Sequence, residues 1–188
     1  SSSVIASRFE RVRVNVKRWD AHRALIERYG IRALAVVLMS NHYHAVFFDP
    51  NGALPLFLTH FHKTVALTMN QHLGRTGQFW EREQTNLVEL LDLESILEAI
   101  VYTLANPVQS HLVERAADWP GFSTIHSLCE GTRAIPRPDR YFSSKSTMPA
   151  SVPFSIAVPA EFKGTPEEWF AIVRRRVHAR EQAVRMER

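Results

Sequence analysis

Cysteine is nearly missing from this chain of 188 residues: Cys129 stands alone, so no internal disulfide can form and a reducing cytoplasm is the expected setting. No apolar run approaches the roughly 20 residues that a membrane-spanning helix needs. The opening Ser1-Ser2-Ser3 has neither the basic nor the apolar region of a secretion signal. A cytoplasmic chain with no membrane association is therefore expected. Acidic residues are the minority charge: 23 Lys and Arg face 19 Asp and Glu, for a formal charge of +4 and a pI near 9.6. That balance favours an anionic partner. The excess is uneven. Arg8, Arg11, Arg13, Lys17, Arg18, Arg23, Arg28 and Arg32 are opposed only by Glu10, Asp20 and Glu27, an excess of five in one short stretch. Such a stretch is equally well a solvated helix face.

The length suits one domain with a full core plus an appendage, and no internal repeat is visible. Residues 15 to 29 read as a helix closed by Gly30. Residues 31 to 39 are strongly β-prone, Ser40-Asn41 signals a turn, and residues 42 to 48 resume as a strand. From Leu54 to Leu73 apolar residues recur at helical spacing (Leu54, Phe57, Leu58, Phe61, Val65, Met69), with Gly74 just beyond. A short strand is expected within residues 83 to 90. Asp92 has the chemistry of an N-cap for a helix from Leu93 to about Asn106, which Pro107 should terminate. Six of the ten prolines fall between Pro136 and Pro166, so residues 131 to 165 read as an extended connector, with residues 152 to 158 as an edge strand. Thr165-Pro166-Glu167-Glu168 is a strong helix start, and the closing helix carries Arg174, Arg175, Arg176, Arg180 and Arg185. The chain thus divides into residues 1 to 130 and an extension of residues 131 to 188.

Chemistry concentrates in two places. His42 and His44 are two apart in a β-prone run, so both imidazoles share one face while Tyr43 takes the other. Two adjacent imidazoles are half of a metal site, although a lone pair of this kind is often no more than two polar residues on a half-exposed strand. In the helix after Asp92, Leu93, Ile96, Leu97, Ile100 and Leu104 form one apolar stripe. Tyr102 falls roughly opposite that stripe with Asn106 one turn on, an arrangement that suits a surface tyrosine or a reacting one. Joined, the two halves describe a phosphoryl-transfer centre. A phenol is a weak nucleophile at neutral pH unless the phosphate is polarised and held in line. A divalent ion on two imidazoles and the Asn106 carbonyl would do both, with Glu98 as a competing third ligand.

The runs Met39-Ser40-Asn41-His42-Tyr43-His44-Ala45-Val46 and Tyr102-Thr103-Leu104-Ala105-Asn106-Pro107-Val108 resemble the HUH signature and the tyrosine helix of single-tyrosine transposases. The similarity extends through Gly77-Gln78-Phe79-Trp80-Glu81 and Asp118-Trp119-Pro120-Gly121, and it is strongest toward the REP-associated tyrosine transposases of bacteria. The resemblance implies an α+β fold: a central antiparallel sheet flanked by helices, the ferredoxin-like HUH nuclease fold, with a C-terminal extension. It implies Mg²⁺ or Mn²⁺ held by His42, His44 and Asn106, and Tyr102 as the nucleophile that takes a DNA strand as a 5′-phosphotyrosine. Single-stranded or hairpin DNA from palindromic repeats is the implied partner, in a bacterial, nucleoid-associated setting, for a monomer or a homodimer.

Two departures from the family pattern stand out. After Val108 the family continues with arginine, a small residue and glycine, whereas this chain has Gln109, Ser110 and His111. The family also opens with a strand that only residues 1 to 14 can supply. For DNA contact, Lys63, Arg75 and Arg82 are placed to meet phosphates and Trp80 to stack on an unpaired base, with a core anchor as the plainer role for Trp80. A histidine-triad hydrolase is disfavoured because the third alternate position is Val46. A domesticated, non-cutting DNA-binding protein derived from a transposase is the rival from a different class.

Overall fold

The computed structural model describes residues 3–9, 28–80, 86–136 and 150–187, the first segment as backbone alone. Strand β1 (Ser3–Phe9) pairs antiparallel with β3 (Tyr43–Asp49) on one side and β4 (Asn86–Leu90) on the other, and β2 (Arg32–Leu38) pairs antiparallel with the far side of β3. The order across this four-stranded sheet is β2-β3-β1-β4. The opening strand demanded by the family pattern is thus supplied by residues 3 to 9. Most of the helix expected over residues 15 to 29 lies outside the described residues, but Gly30 has the left-handed backbone (φ 68°) of a helix stop.

Alternation along β3 sorts its side chains onto two cores. Tyr43, Ala45 and Phe47 join one buried cluster and Val46 the other. In β2 a register shift between Ala33 and Ala35 lets the consecutive Leu34 and Ala35 both enter the second cluster. The first cluster is closed by α1 (Leu54–Leu73), which buries Leu54, Phe57, Leu58, Phe61, Val65 and Met69. Its start is capped by Asp49, whose carboxylate accepts the N–H groups of Asn51, Ala53 and Leu54, and its end by Gly74 at φ 60°.

The second cluster is closed by α2 (Leu93–Gln109). Asp92 caps it, accepting from Ser95 N–H and from the Ser95 hydroxyl, and these bonds hold the Asp92 carboxyl below its usual range. The expected stop at Pro107 is not observed, and the helix runs on to Gln109. An internal proline costs about 3 kcal/mol. Here it is offset because Val108 is buried in the core, worth about 1.5–3 kcal/mol, and because Ser110 and Leu112 N–H close the last turn on the Asn106 and Pro107 carbonyls.

Residues 131 to 165 also depart from a plain connector. A helical turn, α3 (Ser127–Glu130), leads into β5 (Arg133–Pro136), which pairs antiparallel with β6 (Ser151–Phe154). The edge strand ends at Phe154 rather than running to residue 158, because Phe154 turns inward against Phe122. The final helix, α4 (Pro166–Met186), starts with the expected reciprocal cap between Thr165 and Glu168. It buries Trp169, Val173, Val177 and Val184 in the same core as Ile96, Leu97 and Ile100 of α2. The result is a mixed α+β molecule with two small antiparallel sheets.

Candidate active site

His42 ends a tight hairpin. Met39 N–H donates to the His42 carbonyl (2.8 Å), closing the turn at Ser40 and Asn41. The hairpin is braced from outside. Leu38 N–H donates to the Phe122 carbonyl, Trp119 Nε1 donates to the Leu38 carbonyl (2.9 Å), and Thr124 bonds both polar groups of Val36. Gly121 must remain glycine there, since a Cβ would lie 2.1 Å from Trp119 Nε1 and 2.9 Å from the Leu38 oxygen. The Trp119-Pro120-Gly121 run therefore supports the strand that leads into the histidines.

His42 and His44 meet edge to face with centroids 5.0 Å apart. His44 in turn meets Tyr102 of α2 at 5.6 Å and 87°. The strand and the helix expected to carry chemistry thus come together. Tyr102 is 41% exposed, as its place off the apolar stripe requires, while the stripe residues Ile96, Leu97, Ile100 and Leu104 are buried. His44 differs from the half-exposed ligand expected: it is 3% exposed, because it faces the α2 side of the sheet. Asn106 is buried at 5%, and its Oδ1 accepts from the Ser110 hydroxyl at 3.5 Å. Glu98 is engaged elsewhere, accepting from Arg176 (3.3 Å) and Arg180 (3.1 Å) of α4. Among the described residues, no group of three His, Cys, Asp or Glu side chains could hold a metal ion. Among the described residues, a third protein ligand beside the two imidazoles would be of another type, and the Asn106 carboxamide is of that type. The donor set fits a divalent ion that keeps open positions.

On the opposite face, Tyr43 is buried, and burial raises its pKa well above the ordinary phenol value. Its hydroxyl is hydrogen-bonded to His62 Nε2 (3.0 Å), and burial lowers the His62 pKa to about 4. Trp80 Nε1 donates to the His62 carbonyl (2.7 Å), with its ring 4.6 Å from the His62 ring. Trp80 is partly buried against the α1 core. Lys63 and Arg75 are exposed, Arg75 donating to the Gln78 carbonyl. Arg82 lies outside the described residues. The Trp119 brace and the His62 cluster are not legible as site features from sequence. Trp119-Pro120-Gly121 leaves a signal as a motif without a role, and His111, whose backbone is left-handed (φ 57°), leaves one as the position where the family pattern has glycine.

No protein-family model matches the sequence, and no curated protein matches it. Among solved structures, the chain is similar to that of a REP-associated tyrosine transposase bound to a REP hairpin, with a TM-score of 0.56 over 80% of this chain and 91% of that one, at 16% identity. The chain shares that fold. Among the described residues no helix is long and apolar enough to cross a membrane.

Proposed function

We propose that this chain is a transposase-type endonuclease of the REP-associated tyrosine class, which cleaves and rejoins single-stranded or hairpin DNA. One observation carries the reading: an exposed phenol, Tyr102, lies against His44 of the neighbouring strand, and His44 in turn meets His42 immediately before that strand. The strand order β2-β3-β1-β4 supports reading the sheet as ferredoxin-like. The likeness to a protein solved with a hairpin supports a DNA partner. Residues 1 to 130 form the catalytic unit in this reading, and residues 131 to 188 the extension.

His42, His44 and Asn106 would hold Mg²⁺ or Mn²⁺, which supplies Lewis-acid polarisation of a phosphate. Tyr102 Oη attacks phosphorus and gives up its proton. The bond from phosphorus to the 3′ oxygen breaks, and that oxygen takes up a proton, leaving a 5′-phosphotyrosine and a free 3′-hydroxyl. Attack by the 3′-hydroxyl of another strand reverses the step and rejoins DNA. Lys63, Arg75 and Arg82 would meet phosphates and Trp80 an unpaired base at its exposed edge.

The test is a denaturing gel with hairpin DNA labelled at either end, run with and without Mn²⁺. The expected product is a covalent adduct carrying the 3′-side fragment, absent in Tyr102→Phe while hairpin binding persists. An adduct in the Phe variant would remove Tyr102 as nucleophile. Binding of the hairpin without any cleavage in wild type would favour the non-cutting, transposase-derived reading.

A further inference from the structure

The Asn41 side chain meets the imidazole it precedes: its Oδ1 lies 2.7 Å from His42 Nδ1. Asn41 occupies the hairpin turn closed by the Met39 to His42 bond, and it is partly buried, so the contact is built into the turn. A carbonyl oxygen has no proton to give, so with Oδ1 facing the ring a bond of this length takes its proton from His42 Nδ1. The Nε2 atom is then the one with a lone pair for a ligand.

We infer that Asn41 is a positioning residue, which fixes the tautomer and ring orientation of His42 so that Nε2 is its metal-binding atom. This rests on the proposed metal role of His42 and names how the chain prepares that ligand. The physical warrant is general: an imidazole ligand whose other N–H is bonded to an oxygen acceptor is held at one rotation and made more basic, and loss of such an acceptor typically costs about 10–100-fold in metal affinity. The two partners are adjacent in sequence and share one turn, so the orientation is set before any ion arrives. The alternative assignment, with the Asn41 amide turned over, would offer an N–H to Nδ1 and reverse the tautomer.

The experiment uses the whole chain labelled with ¹⁵N in its histidines. Two-bond ¹H–¹⁵N correlation spectra at alkaline pH, without metal, report which His42 nitrogen is protonated. Mn²⁺ titration followed by electron paramagnetic resonance reports affinity. Wild type should show the Nδ1–H tautomer and Asn41→Ala should lose it, with Mn²⁺ affinity falling about 10-fold or more. Asn41→Asp, which keeps an oxygen acceptor, should restore both. Equal melting temperatures would show that the fold is not the variable. A wild-type Nε2–H tautomer, a tautomer unchanged in Asn41→Ala, or Mn²⁺ affinity unchanged in that variant would each overturn the role of Asn41. An Nδ1–H tautomer in a wild type that binds no Mn²⁺ would overturn the metal-site reading, and the role of Asn41 toward a metal with it.

Discussion

The His44 imidazole stands edge-on between two rings, His42 at 5.0 Å and Tyr102 at 5.6 Å, and it is the buried member of the three. The two histidines therefore differ in what else they do. His42 is partly exposed at the hairpin, whereas His44 is packed under α2. Replacing His42 by alanine should abolish metal-stimulated cleavage with little change in stability. Replacing His44 should abolish cleavage and also cost about 1–3 kcal/mol, through lost packing and unpaired polar groups. Urea unfolding of both variants beside the cleavage assay checks this. Equal stability losses would contradict the asymmetry.

A pH effect follows from the opposite face of the sheet. His62 has a folded pKa lowered to about 4 from 6.5 by burial, so the unfolded chain binds the proton more readily. Its contribution is fully present above about pH 6.5 and is lost as pH falls from there through 4. The steepest slope is about 1.4 kcal/mol per pH unit for one proton. His62→Gln keeps a hydrogen-bonding partner for Tyr43 but does not titrate. The difference between the wild-type and His62→Gln unfolding energies should change by this slope between pH 6.5 and 4 and stay flat above pH 7. Parallel profiles would mean that His62 is not the titrating group.

Much of this arrangement was legible in the sequence, for local reasons. The six buried residues of α1 follow from helical periodicity alone, and the shared face of His42 and His44 follows from strand alternation. Pro107 misled because its penalty is local whereas the burial of Val108 is tertiary. The depth of His44 was hidden because it depends on which helix covers that face. His111 shows the same limit. The family pattern has glycine there, and this chain places a histidine on a left-handed backbone (φ 57°). The departure thus falls on a turn residue whose conformation favours glycine.

That turn gives a stability prediction. A side chain in the left-handed region costs about 1–2 kcal/mol, and glycine does not meet this cost. His111→Val, with a branched β-carbon, should be less stable than His111→Gly by about 1 kcal/mol or more in urea unfolding. Equal stability of the two variants would show that the backbone at residue 111 relaxes out of the left-handed region.

The last prediction separates arginines that hold the fold from cations that meet DNA. Four of the basic residues of α4 bond within the chain: Arg174 to the Leu128 carbonyl, Arg176 to Glu94 and Glu98, Arg180 to Glu98, and Arg185 to the Glu114 carbonyl. The helix also buries Trp169, Val173 and Val177, so deleting it would test folding rather than binding. Lys63 is exposed on α1. Each phosphate contact adds about 0.7–0.9 to the slope of log affinity against log salt. Affinity for a DNA hairpin should therefore fall steeply with salt in wild type, and Lys63→Gln should lower that slope by about one contact's worth. Arg176→Gln should leave the slope unchanged and cost stability on the order of 1 kcal/mol, since its ion pairs are exposed. Binding measured by fluorescence anisotropy across a salt series, with thermal melts of the same proteins, reads both quantities. A slope lowered by Arg176→Gln and untouched by Lys63→Gln would move the DNA-contacting surface from α1 to α4.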